Sequence, residues 1–291
     1  MIYYIFSLIT AVLVAAMIVA NGGLSDVYGA YLSTVMIHGI GLLSISLICL
    51  VKKKKVFRDK LPFLLHIGGA IGYVSTISNN MAFGKISVSA IIALGLLAQS
   101  VTALIIDQYG LLGMPKQTFH KSKILGILFT FLGIFYLLSG SKVAIIPILL
   151  SCLAGISIII ARTFNARLAD KTNMYSSTWY NFSSGFLVSL LFLFTLGKKD
   201  MMDLSGGLSP KLWIYLGGFI GMIIVILSNM CVTKISAFYM TLIMFVGQIF
   251  TGILFDILLT QTFSVKNLIC GAIVAFGLSL DVLIQQYKKK K

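Results

Sequence analysis

The chain carries an internal duplication in which two similar segments follow one another head to tail. Residues 68–107 align with residues 217–256 without a gap, and 13 of the 40 aligned positions are identical. A common apolar composition does not explain the polar identities, which are Asn80/Asn229, Lys85/Lys234, Ser87/Ser236, Gln99/Gln248, Thr102/Thr251 and Asp107/Asp256. At a spacing of 144 residues the duplication extends to Asn21/Asn165, Leu24/Leu168, Asp26/Asp170, Thr34/Thr178, Gly41/Gly185 and Gly133/Gly277. The sequence therefore predicts two copies of one structural unit.

The composition places both copies in a membrane. The hydrophobic fraction is 58%, the mean hydropathy is +1.01 and 11% of the residues are charged, against about 25% in soluble proteins. A membrane-spanning helix needs about 20 apolar residues, and no strand-like alternation is present. We predict an all-α membrane protein with ten transmembrane helices at about 2–20, 28–51, 61–83, 86–109, 124–140, 143–161, 174–197, 212–232, 235–258 and 264–285.

Ten helices in two copies leave five helices per repeat, which we assign to residues 1–140 and 141–291. Because five is an odd number, the second repeat must enter the membrane from the opposite side, and the two repeats are inverted. Inverted repeats are typical of transporters.

The basic residues predict the orientation. With a cytoplasmic N-terminus, 17 of the 23 lysines and arginines fall on the inner side, including loop 52–60 and the C-terminal tail. The positive-inside rule then places both termini in the cytoplasm. No segment is long enough to form a basic soluble face for nucleic acid. The first helix has no basic region before it, so we expect it to be retained and not cleaved as a signal peptide.

The acidic residues are eight aspartates, all predicted in loops or near helix ends, and glutamate is absent. Asp107 lies eight residues after Gln99, about 12 Å along the helix and near the edge of the hydrocarbon layer. Water or a headgroup can reach a carboxylate at that depth. Asp107 and Asp256 are therefore either interfacial anchors bonded to a neighbouring loop or gates at the mouth of a pathway.

Amide and hydroxyl side chains near the helix centres are the stronger site candidates. Gln99 and Gln248 lie at mid-helix, where lipid offers no hydrogen-bond partner, and Thr102 and Thr251 follow three residues later. Two interpretations remain open: these side chains line a solute pathway, or they form hydrogen bonds that hold the helices together.

His38, near the centre of the second helix, breaks the duplication because its counterpart is Phe182. With an unperturbed pKa near 6.5 a histidine can carry a proton, or it can stay neutral and bond a neighbouring helix. Asn21, Asn165, Asn80 and Asn229 are predicted at helix ends, where asparagine often caps a helix. Their duplication nevertheless raises them to site candidates, after the mid-helix amides.

Small residues also repeat. Gly68, Gly69 and Gly72 return as Gly217, Gly218 and Gly221, a spacing that lets helices approach closely and, in a carrier, move against one another. The four cysteines lie inside predicted helices without CxxC spacing, so we expect packing residues and no disulfide or metal site. No phosphate-binding loop or metal motif is present, and the sequence indicates no cofactor.

The run from Gln99 to Gly133 resembles the drug/metabolite transporter superfamily, and within it the YdcZ-type bacterial inner-membrane family. The similarity lies in a glutamine, an aspartate eight positions later, a Gly-Leu-x-Gly turn at 110–113 and a helix with two spaced glycines, Gly126 and Gly133. The second copy keeps Gln248, Asp256, Gly271 and Gly277 but reads ILLTQTF in place of the turn.

The resemblance covers both halves, as in a fused form of the family. It implies inverted repeats, cytoplasmic termini, a bacterial inner-membrane location and a cavity lined mainly by helices one, three, four, six, eight and nine. It also implies transport of a small metabolite or drug, often outward. The glutamate that couples protons in the small multidrug-resistance branch is absent here.

These observations favour a non-enzymatic carrier that works by alternating access, with the lipid bilayer and a small-molecule substrate as its partners. A non-transporting membrane subunit or scaffold is the alternative, although the longest predicted loops are only about 14 residues. An intramembrane enzyme is disfavoured because catalytic groups are not clustered. The sequence leaves open whether two chains form a homodimer.

Overall fold

The computed structural model describes residues 2–54, 56, 62–114, 116, 122–139, 144–201, 207–232, 234, 237–261, 263 and 265–290. Within these ranges every regular element is a helix. The predicted loops 52–60 and 198–211 are described only in part. The duplicated Ser236 and two of the eight aspartates, Asp59 and Asp203, lie outside the described residues.

The described part of the chain forms nine α-helices and a few short 3-10 helices. In chain order the α-helices are α1 (Ile2–Val51), α2 (Gly68–Ala82), α3 (Val88–Tyr109), α4 (Ser122–Leu138), α5 (Ile145–Lys171), α6 (Met174–Thr195), α7 (Leu216–Val232), α8 (Ala237–Thr260) and α9 (Val265–Lys290).

Helix α1 is broken at Gly29 into two arms, residues 2–28 and 30–51. Its 50 residues would span about 75 Å if straight, more than twice the roughly 30 Å hydrocarbon core. Gly29 adopts φ 74° and ψ 165°, a conformation that glycine reaches without steric cost. The Asp200 carboxylate packs against Gly29 and accepts a hydrogen bond from the Tyr31 backbone N–H at 2.7 Å. Counting the arms separately, the described residues form ten helical segments.

Two predicted helix ends were wrong. The first helix does not end at residue 20, because α1 continues to the break at Gly29. Gly22 and Gly23, which follow the predicted end of this helix, lie against the rings of Phe83 and Trp213. They serve close packing inside the helix.

The sixth predicted segment also extends further than expected, since α5 continues from residue 161 to Lys171. Arg162 and Arg167 therefore lie within a helix, and the interpretation of both as loop residues was wrong. A hydropathy window stops at the first arginine, whereas the helix continues because these side chains face other parts of the protein.

Equivalent contacts recur in the two halves of the chain. Asn21 packs its amide oxygen on Gly217 of α7, and Asn165 packs its amide oxygen on Gly68 of α2. A methyl group at either glycine would overlap with that oxygen. The pairs Asn21/Asn165 and Gly68/Gly217 are both duplicated positions, so the duplication extends to tertiary packing.

A second pair of equivalent contacts joins the second arm of α1 to helix α6. The His38 ring packs on Gly185, and the Phe182 ring packs on Gly41. His38 and Phe182 correspond in the duplication, as do Gly41 and Gly185. The two rings lie with their centroids 6.1 Å apart, at the place where the two halves meet.

The outer surface is apolar, as expected for contact with lipid. Leu50 is 74% exposed, Phe135 is 77% exposed and Leu187 is 65% exposed. Helices α1, α3, α5 and the segment Leu212–Cys231 are long and apolar enough to cross a membrane by length and composition. Cys49, Cys231 and Cys270 are buried and Cys152 is partly buried, each inside a helix.

Helices α4 and α9 form a separate pair at one side of the bundle. Gly277 packs on the Phe129 ring, and Phe129 meets Phe276 edge to face with ring centroids 5.6 Å apart. Lys266 Nζ donates a hydrogen bond to the Ser139 carbonyl at 2.5 Å. This pairing leaves the other helical segments to surround the centre of the molecule.

Candidate solute-binding cavity

The centre of the bundle holds a cavity of about 160 Å³. Both arms of α1 and helices α2, α3, α5, α6, α7 and α8 contribute to its wall, whereas no residue of α4 or α9 that the structure describes does so. The six predicted helices that the family resemblance implied correspond to the first arm of α1 and to α2, α3, α5, α7 and α8. The second arm of α1 and helix α6 line the cavity in addition. Its polar side chains are Asn21, His38, Ser75, Thr76, Asn79, Gln99, Arg162, Asn165, Asn181, Ser228, Asn229 and Gln248.

The rest of the wall is apolar. Val14, Ile18, Ile92, Ile224 and Met244 surround the polar groups. A concave, mainly apolar surface with a few polar side chains is the usual form of a small-molecule site. The cavity is therefore suited to a ligand that has an apolar body and a polar group.

Both copies of the duplication supply the wall at equivalent positions. Gln99 and Gln248 line it together, as do Asn21 and Asn165. Each of these four side chains is at most 5% exposed. The cavity thus lies where the two halves meet.

Gln99 and Gln248 occupy the centres of α3 and α8, as the sequence predicted. Neither side chain forms a hydrogen bond to another side chain or backbone group of the described residues. Their amides are thus available to a solute in the cavity. Their role in transport stays a prediction.

Thr102 and Thr251 do not join this group. Each hydroxyl donates to the carbonyl four residues earlier on its own helix, Ala98 or Gly247, at 2.7 Å. Neither residue lines the cavity. Gln99, Thr102 and Asp107 therefore do not line the cavity together, since only Gln99 lies on its wall and Asp107 lines a separate small void.

His38 is 4% exposed and lines the cavity. Its Nδ1 lies 2.9 Å from the Thr34 carbonyl oxygen, one turn earlier on the same helix. Since a carbonyl only accepts, Nδ1 carries the proton and donates this bond. The remaining ring nitrogen, Nε2, packs near Gly185. The intrahelical bond explains how a buried histidine is accommodated here.

Asn21 and Asn165 lie inside α1 and α5 and cap neither helix, which corrects the predicted helix-end position. Asn165 Nδ2 donates a hydrogen bond to Asn181 Oδ1 at 2.7 Å. The Asn21 amide oxygen is buried without a hydrogen-bond partner among the described residues. The two asparagines are equivalent in position but not in bonding.

Asn80 and Asn229 do lie close to helix ends, near the C-termini of α2 and α7. Asn80 Nδ2 donates to Ser33 Oγ at 3.2 Å and to Thr34 Oγ1 at 3.1 Å. Asn229 Nδ2 donates to Ser177 Oγ at 3.3 Å. These bonds join α2 to α1 and α7 to α6, and only Asn229 also lines the cavity.

Asp256 binds the start of α3. Its carboxylate accepts from the backbone N–H groups of Val88 at 2.9 Å and Ser89 at 3.1 Å, and from Ser89 Oγ at 2.5 Å. A carboxylate at a helix N-terminus satisfies unpaired N–H groups and complements the helix dipole. The residue is 7% exposed, so the expected contact with water is absent because α3 covers it.

Asp107 is likewise buried, with 5% exposure. It lies near the C-terminal end of α3 and lines a void of about 10 Å³ with Met114, Ile159 and Arg162. The sequence analysis expected water to reach this carboxylate, whereas α5 packs over it. Whether Asp107 or Asp256 acts as a gate stays a prediction.

Sequence reasoning missed Arg162. This residue lies well inside α5 and lines both the central cavity and the void that holds Asp107. Its repeat counterpart is Ile18, which also lines the cavity. The duplication carried the signal that could have identified it, because an arginine aligned with an isoleucine inside an apolar helix is an unusual exchange.

The Gly-Leu-Leu-Gly turn at 110–113 depends on its glycines and on a second arginine. Gly110 ends α3 at φ 64° and Gly113 follows at φ 72°. Arg167 Nη1 donates to the Leu112 carbonyl at 2.6 Å. The turn that distinguishes the first copy is thus bound by α5 of the second half.

The fold and the cavity define an all-helical, multi-pass membrane protein whose two halves enclose a central site. The family described as "Putative inner membrane exporter, YdcZ" matches residues 2–136 and residues 146–280, and the chain belongs to this family. One match falls in each half, which confirms the resemblance and the duplicated form. The protein is therefore a membrane transporter of an exporter family.

A solved structure entitled "Crystal structure of protein" has the same overall fold, with a TM-score of 0.69 at 14% sequence identity. The similarity covers 98% of each chain. At this identity it shows the fold alone. No curated protein matches the chain.

Proposed function

We infer that this protein is a carrier that exports a small metabolite or drug across the bacterial inner membrane by alternating access. The observation that carries this proposal is the central cavity, which equivalent residues of two halves line and which contains Gln99, Gln248, Asn21 and Asn165. A site shared between two halves can be exposed to either side when one half moves against the other.

In the proposed arrangement residues 1–140 and 141–291 form two inverted five-helix repeats that together provide ten transmembrane segments. The ten helical segments of the described residues fit this number. Both termini are cytoplasmic in the proposal. The excess of basic residues on the inner side remains large when Arg162 is assigned to the cavity.

Glycine contacts support relative movement of the halves. Gly69 of α2 packs directly on the backbone of α6, and Gly218 of α7 packs directly on the backbone of the second α1 arm. Backbones in direct contact without interlocking side chains have smooth surfaces. We expect these two equivalent contacts to be the surfaces along which the halves rock.

Cysteine accessibility tests alternating access without knowledge of the substrate. In a chain whose native cysteines are replaced, Ser75→Cys introduces a thiol on the cavity wall. We expect a membrane-impermeant thiol reagent to label it from either side of the membrane. Leu187→Cys, at a 65% exposed position on the apolar outer surface, should remain unlabelled. Labelling of Ser75→Cys from one side only would favour a non-transporting membrane subunit.

A further inference from the structure

The cavity departs from the twofold equivalence of its halves at several positions, and three of these exchanges on α1, α5 and α6 change its charge or its hydrogen-bonding groups. Arg162 corresponds to Ile18, Asn181 corresponds to Ile37, and Phe182 corresponds to His38. Some equivalent pairs on the wall keep the same residue, as Gln99/Gln248 and Asn21/Asn165 do, whereas Ser75/Ile224 and Thr76/Val225 also differ. The three exchanges give the cavity a chemical polarity that the duplication alone would not produce.

The first exchange places a positive charge on the wall. The Arg162 side chain forms no hydrogen bond or ion pair with another described residue, and no carboxylate of the described residues lines the central cavity. An arginine stays charged under all physiological conditions. A charge inside a membrane bundle is costly and usually meets a partner or a polar solute. The partner that this cavity lacks is an anion.

The second exchange leaves an amide unpaired. Asn165 donates its amide hydrogen to Asn181 at 2.7 Å, but the residue at the equivalent place facing Asn21 is Ile37, whose side chain cannot accept. Asn21 is 5% exposed and forms no side-chain hydrogen bond to another described residue. The Asn21 Oδ1 packs on Gly217, so the group left for a solute is Nδ2, which donates to no other described residue. A solute oxygen that accepts from this Nδ2 would form the bond that Asn165 makes to Asn181.

We propose that the central cavity binds a small organic monoanion, with its carboxylate on the Arg162 guanidinium and with the Asn21 amide as a further polar contact. A planar guanidinium matches the two oxygens of a carboxylate. One arginine balances one negative charge, which favours a monocarboxylate over a multiply charged solute. The apolar wall at Ile18, Ile92 and Ile224 receives the body of the molecule. This inference rests on the proposed carrier function and specifies its substrate class.

Size limits the body of the ligand. A cavity of about 160 Å³ is comparable to the roughly 150 Å³ that accommodates a benzene-sized molecule. Benzoate and 4-methylpentanoate are therefore suitable probes. Their amides and amines keep the body and replace the negative charge with a neutral or positive group.

The experiment measures binding of these six compounds to purified protein by calorimetry and thermal shift. We expect each carboxylate to bind at least tenfold more tightly than its amide, and each amine to bind most weakly. Arg162→Gln should lower carboxylate affinity by about 10- to 100-fold and leave the amides unchanged. Arg162→Lys should retain part of the preference, and Lys171→Gln, which removes a charge from the exposed end of the same helix, should retain all of it.

If Arg162→Gln does not fold, a double variant that moves the arginine to the equivalent position in the other half still tests the proposal. In the double variant Ile18→Arg with Arg162→Ile the cation moves to the equivalent position, and the preference for carboxylates should persist. Equal binding of carboxylates and amides by the wild type would overturn the proposal, as would binding of none of the six compounds. If Asp107→Asn reproduced the effect of Arg162→Gln, the arginine would serve that carboxylate and not a solute, which would also overturn it.

The experiments distinguish a failure of the proposed carrier function from a failure of the proposed anion site. Labelling of Ser75→Cys from one side only would contradict alternating access whatever the probes bind. Labelling from both sides together with no preference for carboxylates would leave the carrier function intact and reject the anion site.

Discussion

The Ser89 hydroxyl donates a hydrogen bond to the Asp256 carboxylate at 2.5 Å, joining the start of α3 to α8. Two backbone N–H groups donate to the same carboxylate. Asp256, which the sequence left as either an interfacial anchor or a gate, thus fixes the beginning of a helix that lines the cavity through Gln99. We therefore expect substitution of Asp256 to change the stability of the protein.

We predict that Asp256→Ala lowers the free energy of unfolding by about 1.5–3 kcal/mol, since hydrogen bonds to charged groups contribute roughly this much. Asp256→Asn should lower the free energy of unfolding by less, because one acceptor oxygen remains. Asp170→Ala, at an exposed position near the end of α5, should change stability by less than about 0.5 kcal/mol. Thermal or denaturant unfolding in detergent provides the measurement. Unchanged stability with abolished transport in Asp256→Asn would instead support a gate.

Gln99→Ala should reduce transport strongly while stability changes little, because the Gln99 amide bonds no other described residue and lines the cavity. Thr102→Ala is the matched control on the same helix, since its hydroxyl bonds only its own backbone. We expect that control to transport normally. If Gln99→Ala lowered the free energy of unfolding by about 0.6–2 kcal/mol and left the flux normal, Gln99 would be a contact that holds the helices together and not a site residue.

Gly185→Ala should destabilise the protein by about 1–3 kcal/mol, because the added methyl group would overlap the His38 ring. Gly41→Ala meets the Phe182 ring in the equivalent contact and should have a similar effect. Gly207→Ala tests backbone strain alone, since φ is +76° there and no heavy atom lies within 4 Å of the added group. If Gly185→Ala were no more destabilising than Gly207→Ala, the packing of His38 on α6 would be incorrect.

We predict transport without proton coupling. The cavity wall in the described residues carries no carboxylate, and His38 already donates Nδ1 to the Thr34 carbonyl. Proton flux in proteoliposomes, driven by a solute gradient, should therefore be absent in the wild type. Coupled proton movement that disappears in His38→Gln would assign the proton to His38, and coupling lost only in Asp107→Asn would assign it to the buried carboxylate.

The predicted topology can be measured with single cysteines in a chain that lacks the native four. Lys54→Cys should react from the cytoplasmic side and Lys199→Cys from the outer side, since both lysines are exposed at the ends of helical segments. Reaction of both from the same side would be incompatible with the inverted arrangement. The paired design requires no knowledge of the solute.

The sequence alone predicted the all-helical membrane class, the duplication and the family. These follow from local properties: apolar length, identities at a constant spacing, and a motif that spans Gln99 and Asp107. It also placed Gln99 and Gln248 at mid-helix, since their position depends only on the helix boundaries. Such features are readable because each depends on neighbouring residues or on comparison of the chain with itself.

The tertiary structure decided which polar groups meet. Thr102 follows Gln99 by about one turn, yet its hydroxyl bonds the backbone of its own helix and the residue does not line the cavity. Arg162 reads as a loop residue in a hydropathy profile, yet α5 continues past it and carries it to the central wall. Hydropathy averages over a helix, whereas a cavity depends on which face of each helix meets the other half. That choice is made by packing between distant residues, and so the charge that gives this cavity its chemical character was visible only in the folded protein.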